Sequence, residues 1–443
     1  MRFSGLRDAK VGVWGAGREI RSFAAQLHRR VPSAQIVVVA TDGAANEGLL
    51  EVLGAPGARI ATGKEIVPSL AACDVVVRSP GVSAYRSELQ ALRAQGVQIT
   101  TATALWLAEV GGAGVIGVTG TKGKSTTSSL AVHLARAVGR KAELAGNIGA
   151  PALDLLDRPP AEVTVLELSS YQIADLESGP EIAVVTNLHR EHADWHGSEE
   201  RYYADKLRIL TLPGVRATVL NGRDARLLEA AGDAIEPRLY GVEAGWNVTD
   251  EGIAFAGQTM ARSDQLPLRG MHNALNLCAA LTAIEAIGVR RPALPQALLG
   301  VSALPHRLEI VGERDGVRWV DDSISTTPES TLAALASFPG CEIVLIGGGQ
   351  DRDQDYSALG RALAEREAVV LGLPDTGSRL LAAARAAGAA AADLVEVADM
   401  EAAVAEARTR ARSGATVLLS PAAPSYNAYV NFEERAQHFR TLL

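Results

Sequence analysis

The run Gly120-Thr121-Lys122-Gly123-Lys124-Ser125-Thr126-Thr127 carries the residue types that hold a polyphosphate. Glycines let backbone N–H groups approach an anion, and a helix N-terminus adds positive potential. A lysine beside them can reach the terminal phosphates, and a hydroxyl can hold Mg²⁺. The usual loop, G-x-x-x-x-G-K-[ST], would place its first glycine at position 118, where this chain has Val118. A glycine turn without a ligand would not require Gly-Lys-Ser-Thr-Thr at a helix start, so a nucleotide is expected here.

Other residues could serve the same chemistry. Glu167 closes the apolar run of "EVTVLELSSYQ", and a carboxylate at the end of a buried strand is costly unless it meets a cation. The cation is either a salt-bridge partner or, given the phosphate loop nearby, Mg²⁺. In "TNLHREHADWH", His189, His192 and His196 lack the pattern of a zinc site. One of them on Mg²⁺ with the others on the surface is the expectation. Lys206 lies in a predicted helix, where an ordinary lysine is a solvated charge. His272, Asn273 and Asn276 stand at a helix start, where capping competes with a functional role. Gly15-x-Gly17 follows a strand but has Ile20 where the dinucleotide fingerprint needs glycine, so another nucleotide or a plain turn competes with a nicotinamide. Asp42 ends the next strand, where a ribose-binding acid would stand.

The elements that must position these residues are short apolar runs alternating with helical stretches, the pattern of parallel sheets covered on both faces. "AKVGVWG", "AQIVVVATD" and "CDVVVRSPGVS" form a first set, and a second begins near Gly114. Ligands bind beyond the carboxyl ends of such strands, which singles out Glu167, Ser169, Asn187 and His192. A third set follows "SALPHRLEIV", with residues 359–410 read as an alanine-rich helical stretch. The 443 residues, 47% hydrophobic and 4% aromatic, suit an aliphatic α/β protein of two or three domains. A net charge of −8 argues against a general nucleic-acid binder. Three scattered cysteines, with no signal-peptide core and no long apolar run, predict a cytoplasmic protein without membrane insertion.

Together and in this order, "GVTGTKGKSTT", "GNIG", "LELSSYQ", "TNLHREHADWH", "DKLRI", "HNALN", "LPHRLE", "DDS" and "SPAAPSYNAYVNFEER" resemble the Mur ligase family of ATP-dependent amide-bond-forming enzymes. The N-terminal "RSPGVS" and the C-terminal ending resemble its branch that adds glutamate to UDP-N-acetylmuramoyl-L-alanine. The resemblance implies an α/β chain of three domains. These are a Rossmann-like UDP-binding domain (1–107), a central P-loop-type ATPase domain with a mostly parallel sheet (108–305), and a Rossmann-like C-terminal domain that binds glutamate (306–443). It further implies that Gly120, Thr121, Lys122, Gly123, Lys124, Ser125 and Thr126 hold the ATP phosphates, and that Asn273, Arg307 and Asp322 contact the adenine, ribose and phosphates of ATP. Ser125, Glu167, His192 and Lys206 would hold Mg²⁺, two ions in all, with Lys206 carried as a carbamate rather than a solvated charge. Gly15, Gly17, Ser79 and Asn147 would meet the UDP-sugar substrate. Lys124, His192 and Lys206 would act in catalysis.

Two positions depart from the usual D-glutamate pattern. D-S-K is here Asp322-Ser323-Ile324, and G-G-x-D-K-G is Gly348-Gly349-Gln350-Asp351-Arg352-Asp353. Losing one cation and turning another into a planar fork suits a pocket for the mirror-image amino acid, although neutral drift would leave the same trace. With "GREIRS" and "APSYN", the changes resemble the smaller L-glutamate-adding branch, which works with a separate epimerase. Thr326, Arg352, Ser425 and Phe432 are the expected glutamate contacts, and a monomer is expected. A folate-type glutamate ligase would lack the first hundred residues. An inactive relative would lack Lys124, Glu167, His192 or Lys206, and a dehydrogenase would not use ATP.

Overall fold

The computed structural model describes residues 1–42, 48–189, 193–232, 234–266, 270–298 and 305–443. The chain divides into two compact units, Met1–Leu266 with Leu275–Val301, and Pro267–Ala274 with Ser302–Leu443.

In the first unit, among the described residues, five parallel strands form one sheet: β1 (Lys10–Trp14), β2 (Gln35–Ala40), β3 (Arg59–Ala61), β4 (Val75–Arg78) and β5 (Gln98–Thr100). Their order is β3-β2-β1-β4-β5. The topology reverses between β1 and β4, so the turns that leave these two strands lie side by side, where such sheets bind ligands. The amphipathic helix Arg18–Arg30 buries Ile20, Phe23 and Leu27 in the core and ends on His28, Arg29 and Arg30, which suit its negative C-terminal dipole.

A second parallel sheet holds β6 (Val115–Thr119), β7 (Ala142–Gly146), β8 (Val163–Glu167), β9 (Ile182–Val185), β10 (Ala217–Asn221) and β11 (Pro237–Tyr240). Its order among the described residues is β11-β10-β9-β6-β8-β7. β6 lies between β8 and β9 and is buried at every position, as a strand covered on both faces must be. The antiparallel strands β12 (Trp246–Val248), β13 (Gly252–Phe255) and β14 (Gln258–Arg262) form a third, smaller sheet in this unit.

The second unit has its own sheet of β15 (Glu309–Arg314), β16 (Val317–Asp321), β17 (Ile343–Gly347), β18 (Val369–Gly372), β19 (Leu394–Glu396) and β20 (Thr416–Leu419), ordered β15-β16-β20-β17-β18-β19 among the described residues. All pairs are parallel except β15 with β16. The helical stretch expected over 359–410 is interrupted here. Helices Ser357–Glu365, Gly377–Ala386 and Met400–Arg410 are separated by β18 and β19. Alanine content favoured helix, but Glu367 (φ 51°) and Gly388 (φ 100°) turn the chain into the left-handed region and end the helices before them. The "AAGAAAADL" segment therefore holds a helix end, a short 3₁₀ turn and the start of β19 rather than one helix. Among the described residues no helix is long and apolar enough to cross a membrane.

Within the first unit, the end of β4 is tied to the second sheet by a guanidinium that is fully buried. Arg78 donates from Nε and Nη2 to Asp175 Oδ2, at 2.8 and 2.6 Å, and from Nη2 to the Tyr171 carbonyl at 3.2 Å. Its Nη1 donates to the carbonyls of Ser79 and Val82. Breaking a buried pair strands the remaining charge, whereas replacing both partners removes the problem. Arg78→Ala should therefore lower the unfolding free energy of this unit by about 3–5 kcal/mol in urea denaturation, while Arg78→Met with Asp175→Leu should recover most of the loss.

Candidate active site

The mismatch at position 118 has a structural reason. Val118 is a strand residue: it lies in β6, is fully buried and is paired in register with Glu167. The loop itself starts at Gly120, whose φ is 143° and whose missing Cβ would lie 1.9 Å from Thr186 Oγ1. Gly123 (φ 82°) caps the helix Lys124–Ala137, and a Cβ there would lie 2.3 Å from Asn276 Oδ1. Both positions combine left-handed backbone with contact to a neighbour, so only glycine fits.

The ends of β6 and β9 hold the loop between them. Asn187 accepts from Lys122 N at 2.8 Å and donates to the Lys122 carbonyl at 3.0 Å, which Thr186 Oγ1 also reaches at 2.6 Å. The first N–H groups of the helix Lys124–Ala137 have no partner within the helix and open onto the loop. Ser125 is half-buried there, and Thr126 Oγ1 is buried without a hydrogen-bond partner. Lys124 Nζ donates to the carbonyls of Gly120 (3.0 Å) and Thr121 (2.9 Å). Lys206, in the helix Glu199–Leu207 and 2% exposed, brings its Nζ to the same Gly120 carbonyl at 2.9 Å.

Glu167 is 1% exposed at the end of β8. Its Oε1 accepts from Asn147 Nδ2 at 2.8 Å, while Oε2 is buried with no partner. A buried carboxylate oxygen without a donor, beside a hydroxyl-rich helix start, fits a hard cation such as Mg²⁺. His192 lies outside the described residues. His189 is exposed as expected, but His196 is not a surface residue. It is fully buried between Asp205 (2.7 Å from Nδ1) and Ser170 (2.9 Å from Nε2), which satisfy both ring nitrogens.

A cavity of about 420 Å³ opens beside these residues, lined by Gly17, Arg18, Glu19, Ser79, Lys124, Asn147 and Gln172 among others. The turn after β1 and the turn after β4 meet at its edge, where a Cβ on Gly15 would lie 2.5 Å from Ser79 Cβ. Arg18 donates to the carbonyls of Gly146, Asn147 and Gly149, joining this turn to the end of β7. Glu19 accepts from Gln172 Nε2 at 2.6 Å, and burial pushes its carboxyl above the usual range. The ribose-type role expected for Asp42 gains no support from its contacts. Its carboxylate takes Arg86 Nη1 at 2.8 Å.

The second unit gathers the other expected residues. Asp322 is buried and accepts from Ser420 Oγ (2.7 Å) and Leu308 N (3.2 Å); burial still raises its carboxyl to about 6, with the Arg307 charge opposing. His306 (φ 63°) and Leu308 (φ 49°) hold left-handed backbone on either side of Arg307. Asn273 is nearly buried in a helix start, and its neighbour His272 is depressed to about 4 by burial and then by Arg307. Three loops at the carboxyl ends of β16, β17 and β20 touch one another. Gln354 Nε2 donates to the Thr326 carbonyl (3.0 Å), Gln350 N to the Pro424 carbonyl (2.8 Å), and Ser323 Oγ to the Phe432 carbonyl (2.9 Å). Arg352 sits over the Tyr426 ring at 6.0 Å, one residue from the buried Ser425. Asp351 and Asp353 both turn to Arg379, at 2.5 and 3.7 Å. Among the described residues, neither acid is paired with Arg352.

Several positions escaped sequence reasoning. Asn276, which the sequence left open between a cap and a functional role, does not belong among them; it packs against Gly123 and Thr127. Glu19 and Gln172 look like ordinary helix residues. Arg435 is 1% exposed and donates to Ser323 Oγ, the Ser323 carbonyl and the Ala423 carbonyl, bracing the loops after β16 and β20.

Residues 118–284 match the Mur ligase middle domain, and residues 306–423 match the Mur ligase glutamate ligase domain. A Micromonospora protein named UDP-N-acetylmuramoyl-L-alanine–L-glutamate ligase is 43% identical over 99% of this chain and 97% of its own length. The chain belongs to the Mur ligase family. A Xylella fastidiosa protein of the same name is 40% identical over 100% of this chain and 96% of its own. Among solved Mur ligases, MurF ligase from Thermotoga maritima in complex with ADP shares the fold at TM-score 0.59 and 18% identity, covering 100% of this chain and 96% of that one. UDP-N-acetylmuramate-alanine ligase from the same organism does so at TM-score 0.57 and 18% identity, covering 97% and 98%.

Two tests follow from this geometry. Gly120→Ala should abolish measurable nucleotide binding by titration calorimetry while leaving a folded circular-dichroism spectrum, because its Cβ collides with Thr186. For Asp322 the folded carboxyl binds its proton more tightly than the unfolded one, so the folded state loses stability as pH rises from about 4 through 6. Asp322→Asn should flatten that part of the stability profile, measured by denaturant midpoints across pH 4–7.

Proposed function

We propose that this Mur ligase joins L-glutamate to UDP-N-acetylmuramoyl-L-alanine, consuming ATP, in the synthesis of peptidoglycan precursors. The observation that carries the reading is the shared cavity, in which Lys124 of the phosphate loop faces Ser79, Gly17 and Asn147. A nucleotide on the loop and a UDP-sugar at the β1 and β4 turns would bring the γ-phosphoryl group to the alanine carboxylate there. The names of full-length relatives support the same substrates.

A carboxylate resists attack by an amine, so the alanine carboxylate must first be made a better electrophile. Transfer of the γ-phosphoryl group gives an acyl phosphate and ADP. The glutamate amine adds to its carbonyl carbon, loses a proton, and phosphate leaves as the amide forms. Lys124 and the N-terminus of its helix offset charge on the transferring group. Asn147 holds one oxygen of Glu167, and the other, buried without a hydrogen-bond partner, would take the cation. Mg²⁺, held by Ser125, Glu167, His192 and a carbamate on Lys206, would supply further charge neutralisation; two ions are proposed. Asn273, Arg307 and Asp322 of the second unit would contact ATP.

Thr326, Arg352, Ser425 and Phe432 would take glutamate, with the Arg352 fork on a carboxylate. Two observations favour the L form. Ile324 removes a cation from one wall, and Arg379 draws Asp351 and Asp353 away, leaving Arg352 as the charged contact. We place the reaction in the cytoplasm, carried out by a monomer of three domains bounded near residues 107 and 305, and followed by an epimerase acting on the new glutamate. Phosphate release from Mg-ATP and UDP-N-acetylmuramoyl-L-alanine should require L-glutamate. Turnover with D-glutamate alone would reverse the handedness, and no turnover with either would remove the ligase reading. Ile324→Lys with Arg352→Lys should cut kcat/KM for L-glutamate by roughly tenfold or more, the scale of one charged hydrogen bond.

A further inference from the structure

Ser170, His196 and Asp205 are joined with the distances of a nucleophile, base and orienting acid: 2.9 Å from Ser170 Oγ to Nε2, and 2.7 Å from Nδ1 to Asp205 Oδ2. The chain extends further, since Tyr85 OH donates to Asp205 Oδ1 at 2.5 Å. Ser170, His196 and Asp205 are 3%, 0% and 7% exposed. Tyr171 and Trp195 stack on each other at 4.4 Å, and both rings pack against His196. No substrate carbonyl could reach the Ser170 hydroxyl, so the arrangement is not a hydrolytic triad.

Its members stand instead beside the residues that fit a cation. Ser170 opens the turn that follows Glu167 by three residues, and that turn is fixed by the reciprocal Ser169–Gln172 capping box. Asp205 directly precedes Lys206 in the helix Glu199–Leu207. A second thread runs from the His196 ring to Tyr202, 5.3 Å away, whose hydroxyl lies 3.0 Å from Thr121 Oγ1 in the phosphate loop. Lys206 Nζ lies 4.8 Å from that same tyrosine ring. The buried hydrogen-bonded chain thus joins the strand end of Glu167, the helix of Lys206 and, through Tyr85, the segment after β4. Satisfied polar networks in a low-dielectric interior hold such separations rigidly.

We propose that His196 is a positioning residue for the cation site, setting the helix of Lys206 against the end of β8 through the Tyr85–Asp205–His196–Ser170 chain. This rests on the reading of Glu167 and Lys206 as groups that serve Mg²⁺. Outer-shell partners of this kind typically change metal affinity by about 10- to 100-fold.

The test is Mn²⁺ affinity in the presence of AMPPNP, measured by electron paramagnetic resonance. It is paired with the carbamate signal of Lys206 in ¹³C-bicarbonate and with thermal melting. His196→Ala should weaken Mn²⁺ binding by about 10- to 100-fold and lower the carbamate signal, with affinity for the UDP-sugar substrate changed by less than about threefold. His196→Asn, whose amide can replace Nδ1 toward Asp205, should restore much of the Mn²⁺ affinity. A lower melting temperature with unchanged Mn²⁺ affinity would overturn the proposal. Should His196→Ala not fold, Ser170→Ala and Tyr85→Phe each cut one end of the chain, and normal Mn²⁺ affinity in both would overturn it equally. Absence of saturable Mn²⁺ binding by the unsubstituted protein would instead remove the cation-site reading, and this inference with it.

Discussion

One carboxylate oxygen sets the terms for the first unit. Glu167 is sealed at the end of β8, with Asn147 on one oxygen and no donor on the other. An unmatched anion in that position is expensive, and the surroundings provide for it. β6 is paired in register beside it, the loop after β6 starts at Gly120, and Lys206 reaches that loop from another helix. In the function proposed above, a cation is what meets this oxygen. Asn147 bonds the carboxylate directly, and the strand paired with it runs into the loop that Lys206 reaches.

The second unit meets a different constraint, holding together the loops at the carboxyl ends of β16, β17 and β20 on which the glutamate contacts are proposed. Arg435 braces those after β16 and β20. Its guanidinium is buried among carbonyls and a hydroxyl, and desolvation lowers it to about 10. Spending a buried cation on neutral acceptors makes sense where the loops need one fixed arrangement. It also places positive potential behind a pocket proposed to hold a dicarboxylate.

Much of this was legible in the sequence, for reasons that can be traced. Apolar runs gave the parallel strands that carry Glu167 and the phosphate loop, since strands buried on both faces leave a continuous hydrophobic trace. The three-residue strands β3 and β5 leave almost none. Composition misled over 359–410, where alanine spoke for helix and local backbone turns overruled it. His196 was unreadable because its partners Ser170 and Asp205 are set by tertiary packing, not by spacing. Asn276 was visible as a motif residue, but a cap and a loop contact leave the same signature.

The pairing of Val118 with Glu167 bears on how this loop relates to the common one. Between Gly120 and Gly123 stand two residues, where the common spacing has four. A glycine placed at 118 would not convert one into the other, because that position belongs to the core of a central strand. Passing between the two loops needs a change of chain length, so substitution alone does not turn one spacing into the other.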